Sequence, residues 1–160
     1  DALDPTLVAP REDYPFVLSA GQRRAQNVNQ ILRVPGVRRR DPDGALAIHP
    51  EDLAALPAKD GEWVVVQSRR GELVVRARGD AGLRRGYVVL PHGYGQAVLA
   101  ADGTRPVSGP RINVLTDAAW RDPIAATPYH KHVPVKLRPA SAAEAAAAEM
   151  NSRDALAAGG

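Results

Sequence analysis

The chain contains no cysteine. That excludes disulfides, a thiolate nucleophile, an iron–sulfur cluster and a cysteine zinc site from its 160 residues. Aromatic residues make up only 4% of the chain, so any core must rest on Val, Leu, Ile and Ala. No apolar run approaches the roughly 18 residues that a membrane-spanning helix needs. GxSxG, the P-loop and HExxH are missing. The four histidines, His49, His92, His130 and His132, are scattered, and two on one strand do not make a metal site. No zinc-finger spacing, RNP-like aromatic motif or helix-turn-helix signals a nucleic-acid module. The first residue is Asp1, not Met, and no secretory pattern follows it. The expectation is a piece of a longer, cytoplasmic protein.

Breakers are abundant, with 14 glycines and 14 prolines. They favour short strands and ordered loops over long helices. Hydrophobic residues make up 44%, enough for one domain with a real core. The net charge of +3 is unevenly spread: residues 1–13 carry −3 and residues 140–160 carry −2, which leaves +8 on residues 14–139. A basic body favours an anionic partner. Residues 1–13 read as an acidic, Pro-containing linker. Residues 139–160 read as a disordered or weakly helical tail, because their alanines offer no apolar face to dock. The domain between them spans residues 14–138.

Within it the pattern is mostly strand. Phe16-Val17-Leu18 and Ala45-Leu46-Ala47-Ile48 are short apolar runs. His49 to Leu56 reads as a two-turn helix, with Pro50 at its first position and Glu51 and Asp52 at its positive end. Asp60-Gly61 marks a turn. Trp63-Val64-Val65-Val66 and Leu73-Val74-Val75 flank Arg69-Arg70-Gly71 as a hairpin. Tyr87 to Leu90, Ile112 to Leu115 and Val133 to Leu137 predict three more strands. Many short strands with one helix imply a mainly β barrel.

Three strand-end segments could carry chemistry. Gly21, Gln22, Arg23 and Arg24 follow the first strand. A glycine there exposes backbone N–H groups, and two arginines can fork onto phosphate oxygens. Asn27 and Asn29 offer donor and acceptor to a heterocycle edge. His92 and Gly93, in Pro91-His92-Gly93-Tyr94-Gly95-Gln96, permit close approach of a flat ligand. Asn113 lies within an apolar run, where an amide needs a partner. Tyr129, His130 and Lys131 cluster a ring, an imidazole and a cation. Each segment alone also reads as an ordinary turn with solvated side chains, and Arg38-Arg39-Arg40 as a solvated basic run.

The ordered series of segments is more specific than any one of them. Tyr14-Pro-Phe-Val-Leu-Ser-Ala-Gly-Gln-Arg-Arg24 resembles the opening of the molybdopterin dinucleotide-binding domain. That is the C-terminal domain of the dimethyl sulfoxide reductase and formate dehydrogenase superfamily of molybdenum oxidoreductases. Gly44 to Leu56, Asp60 to Val66 and Ser68-Arg-Arg-Gly71 are similar to that family's middle section. Leu90-Pro-His-Gly-Tyr-Gly95, Asn113-Val-Leu-Thr116 and Thr127-Pro-Tyr-His-Lys131 resemble its remaining blocks. The resemblance implies a double-psi β-barrel, of the aspartate decarboxylase-like type, that binds molybdopterin guanine dinucleotide. It assigns cofactor contacts to Gly21, Gln22, Arg23, Arg24, Asn27, Asn29, His92, Gly93, Asn113, Tyr129, His130 and Lys131. The molybdenum or tungsten ligand is expected in an earlier domain, so this chain should hold neither a metal ligand nor a complete active site. Its expected partners are the remaining domains of the parent oxidoreductase, with no membrane span and no nucleic acid. Two rival readings stand beside this one. A basic barrel could bind nucleic acid or protein through Arg38-Arg39-Arg40, or the barrel could be a small standalone enzyme without a visible catalytic set.

Overall fold

Short, nearly continuous apolar runs form the strands, and alternate side chains of each run share one core. The computed structural model describes residues 12–22, 43–97, 103, 107–119 and 121–157. Its strands are β1 (Phe16–Gln22), β2 (Leu46–Ile48), β3 (Trp63–Gln67), β4 (Glu72–Gly79), β5 (Tyr87–Pro91), the short β6 (Gln96–Ala97) and β7 (Val107–Ser108), and β8 (Val133–Pro139). Six of them close into a barrel in the order β1-β5-β2-β4-β3-β8, while β6 and β7 pair separately. Every barrel strand sends two side chains, spaced by two, into one buried core: Leu18 and Ala20, Leu46 and Ile48, Val64 and Val66, Val75 and Ala77, Val88 and Leu90, Val133 and Val135. Period two is the spacing that puts side chains on one face of a strand. Burying each Val or Leu contributes about 1.5–3 kcal/mol.

Strand direction decides where the loops go. β1 runs parallel to β5, and β2 parallel to β4, while the other barrel pairs are antiparallel. Two parallel pairs within a closed six-stranded barrel agree with the expected double-psi architecture. The consequence is that the chain leaves β1, β3 and β5 at the same end of the barrel at which it enters β4 and β8. At the opposite end, α1 (Pro50–Ala55) follows β2, as the sequence predicts. The His49 imidazole caps it by accepting from Glu51 N at 3.2 Å. Its Leu53 is buried in the core, and the buried Asp52 accepts from Gly86 N at 2.7 Å.

Two expectations are corrected. Ile112–Val114 forms a 3-10 turn rather than a strand. Leu115 is buried and Ile112 packs against the core, and a spacing of three aligns them on one side of a helix with three residues per turn. Asn113, between them, is exposed instead of buried in a sheet. The second correction concerns the tail. Residues Ala142–Ala157 form a sixteen-residue helix, α2, docked on the barrel. The sequence reading looked for an apolar face, and α2 is held instead by polar contacts. Ser141 and Glu144 form a reciprocal cap: Ser141 N donates to Glu144 Oε2 at 2.8 Å, and Glu144 N donates to Ser141 Oγ at 3.3 Å. Arg138 of β8 grips Glu144 with two bonds of 2.9 and 2.7 Å. Trp63 Nε1 donates to Glu149 at 3.3 Å, and Arg76, stacked 4.4 Å over the Trp63 ring, reaches both Glu149 and Asp43. Among the described residues, no helix is long and apolar enough to cross a membrane.

Candidate functional site

Gly21, at the end of β1, is where three chain segments meet. Its φ is +91°, a geometry that favours glycine. A Cβ placed there would lie 3.6 Å from His130 Cδ2, 3.9 Å from His92 Cβ and 4.0 Å from Ile112 Cδ1. The first segment is therefore faced by the second through His92. The third faces it through His130 and through Ile112, the neighbour of Asn113. The backbone reinforces the arrangement: Ala20 N donates to His130 O at 2.9 Å, and Gln22 pairs with Pro91.

The second and third segments are also tied directly. Arg111 Nε donates to Gly95 O at 2.8 Å. Gly95 sits so close that an added Cβ would fall 2.7 Å from Arg111 Cα and 2.8 Å from Arg111 N. One residue earlier, the Tyr94 ring is buried, with Gly44 and Gly109 against it. These contacts hold the second and third segments against each other.

The polar groups differ in what they can offer a ligand. His130 Nδ1 lies 2.9 Å from Pro128 O. A carbonyl oxygen only accepts, so the neutral imidazole donates from Nδ1 and keeps Nε2 as an acceptor. His92 and Gly93 are half-buried, while Asn113 and Lys131 are exposed. Tyr129 is different, because its hydroxyl donates to Asp122 inside its own loop. Partial burial, then the Asp122 charge, pushes the Tyr129 phenol up. The backbone N–H groups of Ala125 and Ile124, at 2.6 and 3.0 Å, hold the Asp122 carboxyl below its ordinary value. Arg23, Arg24, Asn27 and Asn29 lie outside the described residues, as does Arg38-Arg39-Arg40.

Sequence reasoning missed several parts of this end. Ile112 supplies an apolar wall beside Gly21, and Arg111 supplies the tie to Gly95. Neither has a local signal, since both depend on how the third segment folds back. The Ser68–Gly71 turn was legible as a hairpin, but its place at this end follows only from strand direction.

This arrangement is chemically a cradle. A glycine without a side chain, imidazole edges and an exposed lysine suit a flat, polar, anionic ligand.

Comparison with known proteins agrees. The molydopterin dinucleotide binding domain matches residues 16–134. Acetylene hydratase of Syntrophotalea acetylenica is 32% identical over 91 residues, covering 56% of this chain and 12% of that protein. The F420-dependent formate dehydrogenase subunit alpha of Methanocaldococcus jannaschii is 28% identical over 139 residues, covering 80% of this chain and 17% of that protein. Among solved structures, acetylene hydratase from Pelobacter acetylenicus superimposes with a TM-score of 0.66 at 22% identity, over 86% of this chain and 19% of that one. The chain thus spans less than a fifth of the length of these relatives. With a closed barrel, converging strand-end segments and a family match over most of its length, the chain belongs to the molybdopterin dinucleotide-binding domain family.

Proposed function

We propose that this chain grips molybdopterin guanine dinucleotide as the C-terminal domain of a molybdenum or tungsten oxidoreductase. The observation that carries the reading is the meeting of His92, His130 and Ile112 around the side-chain-free Gly21. On this reading the backbone at Gly21 and Gly93 lies against the cofactor. His130 Nε2 accepts from it, Lys131 meets its negative charge, and Ile112 keeps water from one side. Gln22, Arg23, Arg24, Asn27, Asn29, Asn113 and the Tyr129 ring complete the proposed contacts. When bound, the cofactor supplies the metal-centred chemistry, and the chain's own residues bind and orient it.

The parent's reaction belongs to the same proposal. The two named relatives are a hydratase and a formate dehydrogenase, so the dinucleotide grip is compatible with more than one chemistry. A linker at residues 1–13, parent domains closing over the site and a cytoplasmic location complete the reading.

Guanine preference is the testable core. In calorimetric or NMR titrations of the 160-residue chain, guanosine diphosphate should bind at roughly millimolar strength, because the rest of the clamp is absent. Cytidine diphosphate should bind several-fold more weakly. Equal affinity for the two would contradict a guanine site. Tighter binding of generic duplex DNA at physiological salt would favour the nucleic-acid reading.

A further inference from the structure

The turn between β3 and β4 stands at the cofactor end of the barrel and carries two adjacent arginines whose side chains have no partner among the described residues. Its backbone is pinned. The buried Ser68 accepts from Arg70 N at 3.1 Å, and Ser68 N donates to Gly71 O at 2.9 Å. Gly71 lies tight against the 3-10 turn: a Cβ there would be 2.8 Å from Val114 Cγ1 and 3.2 Å from Val114 O. Ile112, two residues before Val114, is the residue that reaches Gly21. One short 3-10 turn therefore lies between the Ser68–Gly71 turn and the centre of the cradle.

Arg69 and Arg70 are both exposed, and neither side chain has an ion pair or hydrogen bond among the described residues. Arg76, Arg85, Arg138 and Arg153 each hold a carboxylate. The neighbouring Glu72 faces Arg138. Two guanidinium groups with no carboxylate partner among the described residues, carried on a turn whose backbone is held, can converge on one anion, and their planar forks match phosphate oxygens.

We propose that Arg69 and Arg70 form a phosphate-binding subsite that takes the pyrophosphate of the dinucleotide, a fourth loop of the site. The proposal rests on the reading of the Gly21 cradle given above. The ligand is a dinucleotide rather than a nucleic-acid backbone, because the turn is coupled through Ile112 and Val114 to that cradle.

Amide NMR on the 160-residue chain tests it, with guanosine diphosphate and guanosine as probes. Guanosine diphosphate should shift the amides of Arg70 and Gly71 together with that of Gly21, while guanosine should shift Gly21 and leave Arg70 and Gly71 unmoved. Arg69→Gln with Arg70→Gln should weaken guanosine diphosphate binding by about tenfold and leave guanosine binding unchanged. The double lysine variant should fall between, since it keeps charge but loses the fork. Both side chains are exposed and have no partner among the described residues, so the amide spectrum away from the turn should stay intact and report that each variant is folded. Unchanged diphosphate affinity in the glutamine variant, with Gly21 still shifting, would overturn the subsite and leave the cradle standing. No shift at Gly21 with either probe would overturn both. Shifts at Arg70 and Gly71 with duplex DNA at physiological salt, but not with guanosine diphosphate, would assign the turn to nucleic acid.

Discussion

Gly21 and His130 face each other so closely that a Cβ on the glycine would sit 3.6 Å from the imidazole Cδ2. The space is enough for a methyl group but not for a branched side chain, and the φ of +91° disfavours any L side chain. Gly21→Val should therefore destabilise the chain by about 1–3 kcal/mol in chemical denaturation. It should also weaken nucleotide-fragment binding. A silent Gly21→Val would remove Gly21 from the centre of the site.

Gly95 makes a second prediction. A methyl group there would press on the Arg111 backbone, at 2.7 Å from Cα. Gly95→Ala should cost about 1–3 kcal/mol through forced overpacking and loosen the bond between Arg111 Nε and Gly95 O. Gly61, with nothing within 4 Å, serves as the control: its Ala variant should show only the smaller strain of a positive φ. Equal losses at the two positions would mean that crowding at Gly95 is not what matters.

Helix α2 gives the third. Removing residues 140–160 deletes Glu149 and leaves Trp63 Nε1 and Arg76 without that partner. The thermal midpoint should fall by about 4–8 °C, which corresponds to about 2 kcal/mol in a chain of this size. An unchanged midpoint would mean that the docked helix contributes nothing.

The same helix predicts an acid response. Hydrogen bonds from Arg138, then from Ser141, hold the Glu144 carboxyl far below the ordinary value of 4.5. Burial raises the Glu149 carboxyl, but the Trp63 indole N–H and the charges of Arg76 and Arg153 outweigh it and leave a net lowering. A carboxyl that titrates lower when folded than when unfolded stabilises above its unfolded value. That contribution is lost as pH falls through the folded value. The contribution to docking of α2 should thus be intact from pH 7 down to about 5 and decline progressively as pH falls below 4.5 toward the lower folded values. The indole N–H signal of Trp63 would report it, and Glu149→Gln should weaken docking already at pH 7. An indole signal that already moves above the ordinary carboxylate value of 4.5 would contradict the assignment.

The barrel was legible because short apolar runs such as Val64-Val65-Val66 and Val88-Val89-Leu90 end at turns, while the alternation that sends Val64 and Val66, or Val88 and Leu90, into one core shows only in the fold. The loops of the candidate site were legible as positions, since Gly21, His92 and His130 each lie beside a strand end. Their convergence was not, because it depends on β1 and β5 running parallel while β8 returns. The run from Ile112 to Leu115 misled because four apolar-rich residues fit either a strand or a 3-10 turn, and burial at a spacing of three decides. Helix α2 was hidden because its docking uses Glu144, Glu149 and Ser152, residues that look solvated until Arg138, Arg76 and Asp43 are seen opposite them.

The most direct test of the cofactor-binding account is the map of backbone amides that shift when guanosine diphosphate is added to the folded chain. The account predicts the largest shifts at Gly21 and Gln22, at residues 92–96, and around Asn113 and His130. It predicts little change along α1, at the opposite end of the barrel. Shifts centred on α1 or on Arg38-Arg39-Arg40, with Gly21 and His130 unmoved, would contradict it.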